Sequence, residues 1–384
     1  MINAEPHTNL DLEKIPDDEA GQIDQTARLM GDILDRRYTG KKAFLRGVHP
    51  KDHGCVEATF TICDAIPSEY RSGVFRNPGE TFRAAIRFSN AAPVVAPDTP
   101  QDVGPPGGDP VTGPDGKPVL VHGSRGMAIK LFDVFGPRLV PDDGERTQDF
   151  LMINQPVFAF ANVEDYKALN EAILPDEKFA FRFFGRMASA DQAVKARAQR
   201  SLEIIQSVKN LKGAPPIFQA PPLSPLDNSY FSAAPFLLGD GWVMKFSARP
   251  VNPMSGDLDV AAVADPDYLR KAMNKRMIEA EGKDICFDFE LQVREVGSLG
   301  KIELEIEDAC TLWPEPFTKV ARISIPPQDI TTPERQQLCE ALFYTPWHGL
   351  IEHRPLGGIN RMRRKIYEVS ADRRGCPVSP NLPG

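Results

Sequence analysis

The chain has 384 residues, 41% hydrophobic and 26% charged, enough apolar material for a large core as one big domain or two ordinary ones. A formal charge of −8 gives no net attraction to phosphate backbones, so nucleic acid is not an expected partner. No basic and apolar leader opens the sequence and no run of about 18 apolar residues occurs, so neither a signal peptide nor a membrane span is expected.

Residues 1–20 are polar and acidic and read as an extended arm. Ala27, Met30, Ile33 and Leu34 recur at helical spacing, predicting a helix over Asp24–Arg36 with Asp24 as its N-cap. Arg46-Gly-Val-His49-Pro-Lys51-Asp-His53-Gly54 reads as a loop, and Val56, Ala58, Phe60 and Ile62 alternate as a strand. Phe82–Asn90 is a second strand, with Arg87 and Ser89 on one face and Phe88 on the other. Residues 91–123 are rich in Pro and Gly and form a surface excursion, because strand-like sequence resumes at Met127–Phe132. An apolar run over Phe150–Phe160 contains Asn154-Gln-Pro-Val-Phe158. Helices are expected over Val163–Leu174 and Asp191–Leu211, then a Pro-rich passage from Ala214 to Pro225. Strands follow near Trp242–Ala248, Ile285–Val293 and Ala321–Ile325, then a helix over Pro333–Leu342 and a passage through Trp347 and His348 that closes the chain over the strands.

The last helix organises the rest. Pro355 suits a first turn, and Leu356, Asn360, Arg363 and Tyr367 fall on one stripe at steps of four, three and four. Arg361, Arg364 and Lys365 point the other way. A guanidinium one turn before an inward phenol favours the phenolate, whose known use is as an axial ligand to haem iron. The other reading is an amphipathic helix with one Arg and one Tyr at its boundary. Inward arginines such as Arg46 and Arg87, with the later Arg374, call for an anion.

The six cysteines (Cys55, Cys63, Cys286, Cys310, Cys339 and Cys376) show no C-x-x-C pair. That predicts reduced thiols in a cytoplasmic protein. His49-x-x-x-His53 with Cys55 also reads as a zinc-ligand triple of a metal hydrolase, though without a second ligand cluster.

The order of these motifs resembles the haem catalases. Arg46-Gly-Val-His49 resembles their distal-histidine segment and Ile86-Arg87-Phe88-Ser89 the strand whose serine supports that histidine. Ser124-Arg125-Gly126-Met-Ala-Ile-Lys130 resembles their Arg-Gly-Phe-Ala-x-Lys motif, and Asn154-x-Pro-Val-Phe158 the distal-asparagine segment. Arg363-x-x-x-Tyr367 with Arg374 resembles the proximal pair and a propionate-binding arginine. Phe343-x-x-Pro-Trp-His348 and His353-Arg-Pro-Leu-Gly-Gly resemble the shorter catalase-related proteins, which include peroxidases and allene oxide synthases.

The resemblance implies an α+β fold: an antiparallel β-barrel with peripheral helices, without the C-terminal helical domain of full catalases. Residues 1–40 would be arm and helix, and 41–384 the haem-binding core. It implies b-type haem with Tyr367 on iron, and Arg46, Val48, Arg87, Phe158, Arg363 and Arg374 around the cofactor. His49, Ser89 and Asn154 would be catalytic, with Asn154 hydrogen-bonding the peroxide. The implied activity is peroxidase, on organic hydroperoxides or hydrogen peroxide, with weak catalase activity and a small-molecule electron donor. Alternatives are a fatty-acid hydroperoxide isomerase or lyase and a non-catalytic haem protein. Val48, where coral-type allene oxide synthases carry threonine, leans away from the isomerase. A homodimer is conceivable from the relatives alone.

Overall fold

Strand alternation sets the architecture. In β2 (Thr81–Asn90) Phe82, Ala84, Ile86 and Phe88 join one continuous core, while Arg83, Ala85, Arg87 and Ser89 turn to the opposite face. A computed structural model describes residues 12–91, 95, 97–98, 101–102, 120–121, 124–140, 146–175, 177–206, 222–254, 256 and 264–375. Around β2 are β1 (Asp52–Ile62), β3 (Gln101–Asp102), β4 (Leu120–Val121), β5 (Arg125–Phe132) and β6 (Thr147–Ile153). Further on come β7 (Tyr230–Phe231), β8 (Phe236–Leu237), β9 (Trp242–Pro250), β10 (Ile285–Glu295) and β11 (Thr318–Ile325).

Antiparallel pairing runs β10-β11-β1-β2-β5-β6-β7-β9, and β9 pairs again with β10. The result is a closed eight-stranded barrel, with β8 appended to β9. Closure leaves no long free edge among these strands. The interior is filled by aromatic side chains: the Phe150 ring centroid lies 4.9 Å from Phe289 and 5.0 Å from Phe246. Phe60 and Phe75 complete this stack. Such pairs add stabilisation beyond the area they bury.

Helices surround the barrel: α1 (Glu19–Tyr38), α2 (Val163–Ile173), α3 (Gln192–Gln206), α4 (Tyr268–Ile278), α5 (Pro333–Ala341) and α6 (Gly358–Arg374). Ala27, Met30 and Leu34 of α1 pack with Ile359, Met362 and Ile366 of α6 in a second apolar cluster. Gly357 (φ 82) precedes α6 and Gly375 (φ 61) ends it in the left-handed conformation that favours glycine. Among the described residues no helix is long and apolar enough to cross a membrane.

Of the arm expected over residues 1–20, 1–11 lie outside the described residues, and 12–18 pack on the body: Leu12 is buried against Val243, Trp313 and Leu356, and Glu13 binds Arg354 and Arg361. Two sequence expectations are corrected. The first helix begins at Glu19 rather than Asp24, because Glu19 is held by Arg361 at 2.6 Å and Asp24 pairs sideways with Lys365. The cysteines are not all thiols: Cys55 and Cys339 form a disulfide. Spacing could not reveal that pair, since 284 residues separate its members and only the docking of α5 on β1 brings them together. The excursion over 91–123 lies mostly outside the described residues, apart from the β3–β4 ladder and a buried Asp98 paired with Lys51 at 3.0 Å.

Candidate functional site

A cavity of about 500 Å³ lies between the outer face of the barrel and α6. Its barrel wall comes from β2, β5 and β6, including Ser89, Ala128, Leu151 and Ile153. Facing them are Ile359, Met362, Arg363, Ile366, Tyr367 and Arg374 of α6. Here the sheet's outward residues meet the helix's inward ones, so both periodicities converge on one space.

His49 sits in the loop before β1 and reaches this space with a left-handed backbone, φ 56. That conformation costs a non-glycine residue energy and persists only where neighbours hold it. Arg87 supplies one hold, donating from Nη2 to the His49 carbonyl at 2.9 Å. Ser89 Oγ lies 3.1 Å from His49 Nδ1, a second. Gly126 is a third: a Cβ there would stand 2.3 Å from His49 Nδ1 and 2.9 Å from Ser89 Oγ. Gly47 N donates to Ser370 Oγ at 3.0 Å, fastening the loop to α6. Burial, then the positive charges of Arg87, Arg363 and Arg46, lowers the His49 pKa to about 3, so the ring is a neutral imidazole at ordinary pH.

On α6, Arg363 Nη2 lies 3.5 Å from Tyr367 Oη, and Nη1 donates to Asn360 Oδ1 at 3.0 Å. Asn360 in turn donates to the carbonyls of Pro235 and Leu356, so the arginine's rotamer is supported from behind. The guanidinium also stands over the rings of Phe158 and Tyr367, at 5.8 Å and 5.5 Å.

The electrostatics have one sign. Arg37, Arg46, Arg87, Arg363 and Arg374 line the cavity, and no Asp or Glu does so among the described residues. Arg46 is tied to the Glu340 carboxylate at 3.0 Å and to the carbonyls of Cys339 and Leu342. Arg374 donates to the Glu340 carbonyl at 3.0 Å. Arg87 is buried with its Nε lacking a hydrogen-bond partner, and burial followed by the charge of Arg46 pulls it down to about 9. An anion at this place would relieve all of these positive charges.

Of the ten residues singled out in the sequence, His49, Ser89, Arg46, Val48, Arg87, Phe158, Arg363, Tyr367 and Arg374 line this one cavity. Asn154 is the exception. Its side-chain oxygen accepts from the Arg125 backbone N–H at 2.7 Å, and its neighbour Ile153 lines the cavity instead. Asn154 is the first residue past the end of β6, where its side chain caps the start of β5 at Arg125. The zinc triple is not assembled: Cys55 is in the disulfide and the His53 ring is bonded to Asn90 at 2.9 Å.

Sequence reasoning missed several lining residues. Arg37 of α1 and Tyr166 of α2 line the cavity, and neither was singled out by spacing or motif. Burial, then the neighbouring Tyr367, pushes Tyr166 up to about 12, so it stays a phenol. Behind Phe343 and Tyr344, Lys130 and Asp149 form a fully buried pair at 2.9 Å, with His348 3.3 Å from Asp149 and the Thr345 N–H on the same carboxylate. Lys130 in a sequence motif gave no hint of that partner, which lies on the neighbouring strand.

No known family profile matches the sequence. No curated protein matches it either. Among solved structures, it superposes on a fungal catalase with TM-score 0.60 and 15% identity, covering 89% of this chain and 62% of that one. A bacterial catalase gives TM-score 0.58 and 14% identity over 88% of this chain and 59% of its own. Catalase A from Saccharomyces cerevisiae gives 0.59 and 13%, over 88% and 62%. The chain therefore has the catalase fold, and it spans less than two thirds of the length of those catalases.

Proposed function

We propose that this chain is a haem-dependent peroxidase acting on organic hydroperoxides or hydrogen peroxide, with weak catalase activity. One observation carries the reading: the His49–Ser89 pair and the Arg363–Tyr367 pair open onto the same arginine-lined, carboxylate-free cavity. The donor set fits an iron tetrapyrrole. Tyr367 offers a phenolic oxygen for iron, Arg46, Arg87 and Arg374 offer charge-assisted donors for propionates, and the walls are otherwise apolar. The partnerless Nε of buried Arg87 is the feature an added carboxylate would satisfy. Val48 and Phe158 would pack against the macrocycle.

When bound, the haem supplies the redox chemistry that cleaves a peroxide O–O bond. The protein's part is proton handling and exclusion of water. His49 is already neutral, so it can accept a proton without first losing one. Ser89 on Nδ1 fixes the tautomer and leaves Nε2 as the base. Nε2 takes the proton from the inner oxygen of the hydroperoxide and returns it to the leaving oxygen, a role worth on the order of 10²–10⁴ in rate. Arg363 places its guanidinium 3.5 Å from the Tyr367 phenolic oxygen and so orients that ring toward the cavity. Asn154 Oδ1 is engaged by the Arg125 N–H, so any bond from this residue to the peroxide would come from its Nδ2. A small organic donor then provides the electrons.

The apolar side of the cavity, with Ile33, Phe160, Leu169, Ile173 and Ile205, favours a second reading in which a fatty-acid hydroperoxide is isomerised. Product analysis separates the two: a peroxidase yields an alcohol and an oxidised donor, an isomerase neither. The primary test is an absorption spectrum of haem-supplemented protein, wild type and Tyr367→Phe. A high-spin ferric spectrum altered in the variant supports the reading, and a colourless wild type overturns it.

A further inference from the structure

Three of the cavity's arginines converge on one covalent bond. Cys55, on β1, is the cross-strand partner of Arg87 in the β1–β2 ladder. Cys339, near the end of α5, offers its carbonyl to Arg46 at 3.0 Å. The next residue, Glu340, gives its carboxylate to Arg46 and its carbonyl to Arg374, each at 3.0 Å. The Leu342 carbonyl accepts from Arg46 at 2.7 Å. The Cys55–Cys339 disulfide therefore fixes the segment that holds Arg46 and Arg374, directly beside the strand position of Arg87.

Beyond the disulfide, the end of α5 is seated by Leu338, Leu342 and Tyr344, which pack with Ala85 of β2 and Leu151 of β6. The helix α5 has nine residues, too few to be stable alone, and Cys339 is the one residue of it that is fully buried. Arg335 of α5 also pairs with Glu57 of β1, a half-exposed ion pair and a weak contribution. Asp52 Oδ2 of β1 stands 3.8 Å from Cys339 Sγ.

We propose that the Cys55–Cys339 bond is a redox latch that sets the affinity of the cavity for an anionic ligand. A dithiol reductant donates two electrons and two protons: the S–S bond breaks, two thiols form, and the reductant closes into its own disulfide. The end of α5 is then free to leave β1, and Arg46 and Arg374 lose the acceptors that place them. Reoxidation by a disulfide oxidant reverses the change. The choice of ligand in the test rests on the haem reading above, whereas the latch itself does not.

The test uses the full chain purified without reductant, with thiols counted by alkylation before and after dithiothreitol. The probes are protoporphyrin IX, an iron-free dicarboxylate, and its dimethyl ester, each titrated by fluorescence, with hydrogen exchange followed over residues 333–346. Loss of one or two charge-assisted contacts predicts about tenfold weaker binding of the diacid after reduction. Binding of the diester stays the same, and 333–346 exchanges faster. Cys55→Ser reproduces the reduced behaviour without dithiothreitol, and Cys63→Ser, at a cysteine outside the disulfide, behaves as wild type. Should Cys55→Ser not fold, the reduced wild type carries the same comparison. Free Cys55 and Cys339 thiols before reduction, equal losses for diacid and diester, or unchanged exchange after full reduction would each overturn the latch. If neither porphyrin binds in either state, the haem reading falls and hydrogen exchange alone decides the latch.

Discussion

The two faces of β2, β5 and β6 carry opposite chemistry on the same backbone. Inward, Phe88, Ile129, Phe150 and Met152 fill the barrel with interlocking apolar groups. Outward, Arg87, Ser89, Lys130 and Asp149 make directional, charge-bearing contacts under α6 and the segment before it. The inner face gains its energy from area and packing, whereas the outer face gains specificity from partners that must each be present. A slip of one residue in register would exchange the two sets, so the core also locates the site.

That contrast can be broken or sharpened by substitution. The largest effect is expected outward. His49→Ala lowers steady-state peroxide turnover by about 10²–10⁴-fold while circular dichroism shows a folded protein. Wild-type turnover keeps its base form well below pH 6.5, since His49 is held down at about 3. The stability sign follows from the same shift. Between about pH 3 and the unfolded value of about 6.5 the unfolded chain binds the extra proton. The contribution is complete above about pH 6.5 and is lost as pH falls toward about 3. Buried His353, lowered to about 4, adds in the same direction. Urea midpoints measured from pH 7 to 4 fall in wild type, and less steeply in His49→Ala.

Inward, Phe150→Ala costs about 3–5 kcal/mol in urea unfolding with the disulfide intact. A collapse of turnover in the still-folded fraction would show that the faces are not separable. Gly126→Ala tests their boundary. Its Cβ meets His49 and Ser89, so overpacking of about 1–3 kcal/mol is expected together with a lower turnover rate. The smallest effect belongs to the solvent side of α6. Lys365→Ala removes an exposed pair with Asp24 and changes stability by less than about 1 kcal/mol, with turnover unchanged.

The long strands were legible because alternation is local: Arg87 and Ser89 were placed together on the face opposite Phe88, and the barrel bears this out. The two-residue strands β7 and β8 carry no period to read and exist through their partners on β9. The spacing of Arg363 and Tyr367 was visible, whereas the support of Arg363 by Asn360 depends on Pro235 from a distant segment. Asn154 was the natural choice by residue type, but its side-chain oxygen is engaged by the Arg125 N–H, a partner 29 residues away that spacing does not show, while Ile153 lines the cavity. The disulfide and the Lys130–Asp149 pair needed three dimensions.

The hydrogen bond from Gly47 to Ser370 joins residues 323 apart, and β1 finds its partner β11 only near Ser324. On the ribosome, β1 therefore waits for most of synthesis with one edge unpaired, exposed to pairing with other chains. Contacts this distant in sequence form slowly. The cavity lacks its α6 wall until that helix has emerged and docked, so whatever occupies it enters a site closed by one of the last elements described here to be made.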